Sequence, residues 1–142
     1  MMHLNRSTRR RGAHVVELAL TLPAFLSVMF ALVDYGVYFA NLAIIDAAVA
    51  EGCRTASLVD PLTGDPITEA QLTMVQFIDS VGFVNCAEDC IVEASDVGEV
   101  PARSIRCSID LAYQPFVGFV PTPDRVGSAA VMRYEWQRSE VF

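Results

Sequence analysis

One long apolar run occupies the N-terminal part of the chain. It extends from Ala13 to Val33, and its few interruptions are His14, Glu17, Thr21, Pro23 and Ser27. A helix of about 20 residues crosses the ~30 Å hydrocarbon layer of a membrane. The run therefore predicts a membrane-inserting helix over residues 13–33. The alternative is a helix buried in a soluble core, but a hydrophobic content of 53% leaves little polar surface to cover it.

The apolar pattern stays helical beyond Val33, to about Leu58. A helix over residues 13–58 would be roughly twice as long as a bilayer is thick, at ~1.5 Å per residue. Because nearly every side of it is apolar, its second half must be covered by its own domain or by neighbouring subunits. The pattern predicts one long N-terminal helix with the membrane span in its first half.

A turn-rich segment and a shorter helix follow. Residues 59–67 are rich in Asp, Pro and Gly, which predicts a linker. Thr68 and Gln71 have the spacing of a capping box, and apolar residues repeat at helical spacing as far as Gly82. We expect a second helix that begins at Thr68 and ends near Gly82.

The last third of the chain alternates apolar and polar residues. The alternation is strict from Ser104 to Tyr113 and from Ala130 to Trp136, and a weaker strand is predicted from Cys90 to Ala94. These strands would form a small antiparallel sheet on the second half of the long helix. The predicted fold class is α+β, with residues 68–142 as a small exported domain.

The basic residues are all arginines, and four of the ten, Arg6, Arg9, Arg10 and Arg11, precede the apolar run. The positive-inside bias makes residues 1–12 a cytoplasmic leader and places the rest of the chain across the membrane. Without the leader, six arginines would remain against all 17 acids, for a formal charge of −11. A domain this acidic is unsuited to nucleic-acid binding, because phosphate contacts need clustered basic residues.

All four cysteines, Cys53, Cys86, Cys90 and Cys107, follow the predicted span, where an oxidising compartment would allow disulfides. Cys107 falls on the inward face of its strand, so its partner is expected to be Cys53 or one of Cys86 and Cys90. A bridge from sheet to helix would stabilise so small a domain by ~2–4 kcal/mol. The alternative, a four-cysteine zinc site, lacks paired Cys-x-x-Cys knuckles, so no metal is predicted.

Residue types that carry catalysis are scarce. After Gly12 the only histidine is His14, and the chain has no lysine. A Ser-His-Asp triad, a lysine nucleophile, a His-ligated metal in the exported domain and a P-loop are therefore excluded. We expect neither an enzyme nor a cofactor.

The junction between the arginines and the apolar run contains Gly12 and, five residues later, the acid Glu17. An unpaired acid near the centre of a membrane helix costs ~2.5–3.5 kcal/mol. Cleavage after Gly12 would create an α-amino group on Ala13, one turn from Glu17 and at the positive end of the helix dipole. A partner amine, from the same chain or a neighbouring subunit, would offset much of that cost. The alternative is a glutamate at headgroup level that reaches cytoplasmic water.

These residues carry a family resemblance. The stretch RRRGAHVVELALTLP, residues 9–23, resembles the N-terminus of TadE-like pseudopilins, the minor pilins of the tight-adherence (Flp-type) branch of type IV pili. A looser similarity runs through residues 34–36 and the stretch AAVAEGCRTA, residues 47–56, which is similar to a small-residue segment ending in Glu-Gly-x-Arg. The resemblance implies a pilin-like fold, cleavage by a prepilin peptidase after Gly12, and pairing of Glu17 between subunits. Leu18 stands where major pilins carry a tyrosine, and the chain is long, which favours a minor component.

A proline-rich loop is predicted between the last two strands, over residues 114–125. It contains four large apolar residues, Phe116, Val117, Phe119 and Val120. They would form either a partner-binding surface or a cover over the long helix that completes the core.

Two functions fit the pattern. The first is a minor pilin or pseudopilin that is cleaved after Gly12 and takes part in assembly of a tight-adherence pilus, with a prepilin peptidase, other pilin subunits, the assembly machinery and membrane lipid as partners. The second is an uncleaved single-pass inner-membrane protein whose periplasmic domain binds a partner. Both place the N-terminus in the bacterial cytoplasm and the C-terminal domain in the periplasm or, for the pilin, in an extracellular pilus.

Overall fold

A computed structural model describes residues 7–60, 62–81, 86, 90–99, 102–118 and 120–135, with side chains from His14 onward. Two helices precede three strands. In chain order the elements are α1 (Ser7–Leu58), α2 (Pro66–Val81), β1 (Cys90–Val97), β2 (Ser104–Ala112) and β3 (Arg125–Arg133). The strands form an antiparallel sheet in the order β1-β2-β3. The predicted α+β fold, with a long N-terminal helix, a second helix and a short antiparallel sheet, is confirmed.

The core lies between the second half of α1, α2 and the inner face of the sheet. Its fully buried side chains include Ile45 and Val49 from α1, Met74 from α2, and Ile105 and Cys107 from β2. Along β2 the buried positions alternate with more exposed ones, which confirms the period-2 pattern of this strand. Burial of these apolar side chains is the main stabilising contribution to a domain of this size.

Helix α2 begins earlier than its sequence pattern suggests. The backbone N–H of Ile67 donates to Asp65 Oδ1 over 3.1 Å, and the Thr68 hydroxyl donates to Asp65 Oδ2 over 2.6 Å. Asp65 is therefore the N-cap, with Pro66 at the first helical position, where a proline loses no hydrogen bond. These two donors hold the pKa of Asp65 below its ordinary value, the hydroxyl contributing most. The predicted start at Thr68 is wrong, and the predicted end at Gly82 lies outside the described residues.

The two edge strands also differ from the prediction. Strand β1 continues to Val97 because it pairs with β2 over its whole length, from Cys90 opposite Leu111 to Val97 opposite Ser104. Strand β3 begins at Arg125, five residues before the predicted start. Trp136, at the predicted end of this strand, lies outside the described residues.

The end of β3 is attached to the end of α1. The backbone N–H of Glu135 donates to the Ser57 carbonyl over 3.2 Å. The Tyr134 hydroxyl donates to Asp96, which also pairs with Arg103. Burial, with the hydrogen bond to Asp96 as a second cause, raises the pKa of Tyr134. The backbone bond from Glu135 thus holds the end of β3 to the last turn of α1, and the Tyr134 side chain links it to β1.

Candidate functional site

The first half of α1 projects from the domain as an uncovered apolar helix, which we call the stem (His14–Val33). None of its side chains is buried, and Leu20, for example, is 74% exposed. Among the described residues, the only helix long and apolar enough to cross a membrane is α1, over His14–Leu58. The alternative of a helix buried in a soluble core does not describe the stem. This one long apolar helix fits a single-pass membrane protein.

The hydroxyl groups of the stem are satisfied within the helix. Thr21 Oγ1 donates to the carbonyl of Glu17 over 3.1 Å, and Ser27 Oγ donates to the carbonyl of Pro23 over 2.8 Å. Such back-bonding to the preceding turn spares a polar side chain the need for water. Neither hydroxyl therefore opposes insertion of the stem into lipid.

Glu17 lies near the start of the stem and is highly exposed. Its Oε2 atom is 3.5 Å from Nδ1 of His14, one turn earlier on the same face, and the two side chains are 79% and 81% exposed. The sequence pattern assigns His14 no role, although its spacing of three residues from Glu17 is the signal that could have identified this pair.

The proposed cleavage site lies inside the helix. The backbone of α1 continues through Gly12 and Ala13 and through three of the leader arginines, Arg9, Arg10 and Arg11. The remaining leader arginine, Arg6, lies outside the described residues. Ala13 is therefore one helical turn from Glu17, the spacing that an amine on Ala13 would need to reach the carboxylate.

A buried carboxylate marks the point where the stem meets the domain. Asp34 is fully buried, and its Oδ1 and Oδ2 accept the backbone N–H groups of Val117 and Gly118 over 2.8 and 3.1 Å. Gly118 has a φ of 69°, a left-handed conformation that favours glycine. Consecutive N–H groups in such a turn form a concavity that binds anions, and the bonds are strengthened by the charge. We call this contact the Asp34 clasp.

Two tyrosines reinforce the clasp. The Tyr113 hydroxyl donates to the carbonyl of Asp34 over 3.0 Å, and the Tyr35 hydroxyl donates to the carbonyl of Pro121 over 3.1 Å. The Tyr113 ring also packs edge-to-face on Tyr38, with 5.3 Å between the ring centroids. Burial first, and then the proximity of Asp34, raise the pKa of the Tyr113 hydroxyl. The β2–β3 loop is therefore attached to α1 at both ends.

The apolar residues of the β2–β3 loop differ in their exposure to solvent. Phe116 is 80% exposed and Val117 is 41% exposed, whereas Val120 is half-buried. Phe119 lies outside the described residues. The loop returns to the long helix through backbone hydrogen bonds, but the Phe116 side chain does not complete the core. The sequence pattern gives no sign of the clasp, because Asp34 reads as one of several isolated polar residues.

The segment from Glu51 to Arg54 joins α1 to the rest of the domain. Cys53 forms a disulfide with Cys107 on β2, a bridge from helix to sheet, and a second disulfide links Cys86 to Cys90. The sequence left this pairing open among three cysteines. Arg54 Nη1 lies 3.6 Å from Glu51 Oε2 in an exposed ion pair.

Gly52 lies where α1 packs closely against α2. A Cβ atom at this position would meet Met74 Cγ at 2.3 Å and the Ala70 carbonyl oxygen at 3.1 Å. The glycine in the Glu-Gly-x-Arg pattern is therefore explained by helix packing, since only glycine leaves room for the buried Met74 side chain.

We expect Gly52→Val to lower the free energy of unfolding of the domain by about 1–3 kcal/mol, the usual cost of overpacking. Gly36→Val is the matched control, because no atom lies within 4 Å of a Cβ at Gly36 in the same helix. Urea unfolding of the full chain in detergent micelles measures both variants. Equal stability of the two would show that close packing at Gly52 is not limiting.

One comparison with known proteins, with a family model, agrees with the N-terminal pattern. No curated protein and no solved structure matches the chain. A family model described as TadE-like protein matches residues 12–54, a range that includes Gly12, Glu17 and the Glu51–Arg54 segment. The resemblance predicted from the sequence is thereby confirmed over residues 12–54, which are similar to the TadE-like family.

Proposed function

We propose that this chain is a minor pilin or pseudopilin of a tight-adherence pilus, cleaved after Gly12 by a prepilin peptidase. The TadE-like match over residues 12–54 suggests a pilus-associated protein. The observation that carries the proposal is the uncovered stem joined to a compact, disulfide-bonded domain. Its role is assembly rather than catalysis.

The stem requires a cover that the described part of the chain does not supply. Apolar surface left in water costs roughly 25 cal/mol per Å², and the large side chains of the stem are exposed along its length. Lipid would cover them before assembly, and the stems of neighbouring subunits would cover them in a filament. A helix that is apolar on nearly every side suits both environments.

The charges and cysteines support one orientation in the bacterial inner membrane. The leader, residues 1–12, carries Arg6, Arg9, Arg10 and Arg11 and stays in the cytoplasm. The domain that follows the stem is exported, where both disulfides are stable. In this proposal α1 beyond Gly12 is shared between membrane and domain, and the part from α2 to the C-terminus forms the exported unit.

Glu17 acts as the assembly determinant in this proposal. In the uncleaved chain its carboxylate is near His14, at 3.5 Å. Cleavage would add a cationic amine on Ala13, at the same end of the stem. In a filament the carboxylate pairs with that amine on a neighbouring subunit, which favours one register between stems over others.

Intact-mass measurement of the membrane-purified protein tests the cleavage. We expect a mature chain that begins at Ala13, and we expect Gly12→Val to retain the leader because the resemblance implies a glycine before the cut. The same measurement in a strain without a prepilin peptidase provides the control. A wild-type chain that keeps its arginines would support the alternative, an uncleaved single-pass protein with a partner-binding domain.

A further inference from the structure

The β2–β3 loop is an uncharged segment in an otherwise acidic domain. From Ala112 to Pro123 the sequence contains no charged residue, whereas Asp110 and Asp124 flank it on either side. The described tip of this loop presents Phe116, which is 80% exposed, and Val117. A large apolar side chain at the tip of a neutral loop is suited to an apolar or interfacial surface.

The tip is held in a defined place on α1. The Asp34 clasp binds the two N–H groups that directly follow Phe116, and the Tyr35 hydroxyl holds the carbonyl of Pro121. Ahead of the tip, the Tyr113 hydroxyl donates to the Asp34 carbonyl, so the loop is restrained on both sides of its apolar tip. The backbone that carries Phe116 cannot fold back onto the core without breaking bonds to a buried carboxylate, which would then be left unpaired.

The Asp34 clasp lies about one membrane thickness from the start of the stem. Asp34 is the first buried side chain of α1 among those described from His14 onward. At ~1.5 Å per residue the helix rises about 30 Å between Ala13 and Asp34, the thickness of the hydrocarbon layer. Asp34 is therefore at the outer boundary of the membrane if the stem spans it.

Aromatic residues collect at this same level. Tyr35 and Phe39 have ring centroids 6.4 Å apart, and Tyr38 packs edge-on against Phe39 at 5.6 Å. Tyrosine is enriched where membrane proteins cross from lipid to water, because its ring is apolar and its hydroxyl is polar. The part of α1 just beyond the stem and the loop tip thus bring aromatic side chains to one boundary.

We propose that the tip of the β2–β3 loop is a second membrane contact, in which Phe116 and Val117 enter the outer interfacial region of the bilayer that the stem crosses. This inference rests on the proposed function, since it requires a membrane-spanning stem. The Asp34 clasp is the positioning element. The neutral loop can approach anionic headgroups that would repel the acidic surface of the domain. The two contacts together fix the tilt of the domain before assembly.

Depth-dependent fluorescence quenching tests this contact in the full chain. Each variant carries one tryptophan in a Trp136→Phe background: Phe116→Trp at the loop tip, Phe25→Trp in the stem, or Leu62→Trp in the turn between α1 and α2. Leu62 is 75% exposed and lies beyond the far end of α1, so it serves as the solvent control. The protein is reconstituted in phosphatidylethanolamine and phosphatidylglycerol vesicles with brominated acyl chains.

We expect quenching of Phe116→Trp to exceed that of Leu62→Trp several-fold, with the greatest effect from bromines near the headgroups. Phe25→Trp should be quenched most by bromines deep in the bilayer. If Phe25→Trp is quenched and Phe116→Trp is not, the loop contact is overturned and the spanning stem stands. If Phe25→Trp is also unquenched, the proposed function fails.

A release variant tests the positioning role of the clasp. Asp34→Ala should reduce the quenching of Phe116→Trp several-fold and leave that of Phe25→Trp unchanged. An intact Cys53–Cys107 disulfide and an unchanged circular dichroism spectrum establish that the variant is folded. Undiminished quenching at Phe116→Trp in the folded variant would refute the clasp. A photocrosslinker at position 116 that captures another pilin subunit instead of lipid would overturn the membrane contact.

Discussion

Removal of the Cys53–Cys107 disulfide is expected to lower the free energy of unfolding of the domain by about 4 kcal/mol, the loop-entropy value for its sequence separation of 54. The bridge joins two fully buried positions, one on α1 and one on the central strand β2. Without it the unfolded chain gains conformational freedom, while the native state loses its covalent link between helix and sheet. The test uses Cys53→Ala with Cys107→Ala and measures urea unfolding by near-ultraviolet circular dichroism.

The second disulfide provides a matched control in the same molecule. Cys86 and Cys90 are separated by only 4 residues, for which the same relation gives about 2 kcal/mol. Cys86→Ala with Cys90→Ala should therefore cost clearly less than the pair at Cys53 and Cys107. If both double variants lost the same stability, loop closure would not explain the contribution of the helix-to-sheet bridge.

The Cys53–Cys107 disulfide also fixes the position of α1 relative to the rest of the domain. Cys53 directly follows Gly52, where α2 packs closely on α1. Within a few residues α1 is thus joined to both other layers of the domain. The C-terminal end of α1 is therefore fixed to both α2 and the sheet.

Local patterns predicted those parts of the fold that depend on local rules. The alternation in β2 follows from one buried and one solvated face, and it identified the inward position of Cys107 before any contact was known. The long helix was predictable for the same reason, since its apolar residues persist from the stem into the core. Its end at Leu58 is also followed directly by turn residues.

The wrong or incomplete predictions concern element boundaries that depend on a choice between two N-cap residues or on pairing with a strand distant in sequence. Two N-cap signals lie three residues apart, and Asp65 prevails over Thr68 because Pro66 suits the first helical position and the Thr68 hydroxyl itself bonds to Asp65. Strand β1 is longer than its own residues indicate, because its pairing with β2 continues through the polar positions Ser95 and Asp96.

The Asp34 clasp could not be predicted from the sequence, for a different reason. It joins residues separated by more than eighty positions, and its acceptor resembles the other isolated acids of α1. Only the tertiary contact distinguishes a carboxylate that binds two backbone N–H groups from one that faces water. The same limit applies to the loop tip, whose exposure follows from where the clasp holds it.

Substitution of Glu17 should have the largest effect on assembly. We expect Glu17→Ala to insert into the membrane at least as well as the wild type, because removal of the acid removes an insertion cost that reaches ~2.5–3.5 kcal/mol at the centre of a helix. The same variant should fail to enter the filament, because the amine on Ala13 of a neighbouring subunit loses its partner. If pairing recovers most of that cost, its loss changes the assembly equilibrium roughly a hundredfold. Immunoblots of membrane and sheared-pilus fractions measure the two steps separately.

Two further variants separate charge from shape at this position. Glu17→Gln retains the size and hydrogen-bonding capacity of the side chain but not its charge, so it should also be excluded from filaments. Thr21→Ala lies one turn further along the same face and removes a hydroxyl that bonds only to the preceding turn of its own helix, so it should assemble normally. Wild-type incorporation of Glu17→Gln would mean that a neutral hydrogen bond suffices. Wild-type incorporation of Glu17→Ala would mean that subunits are aligned by the apolar stem alone.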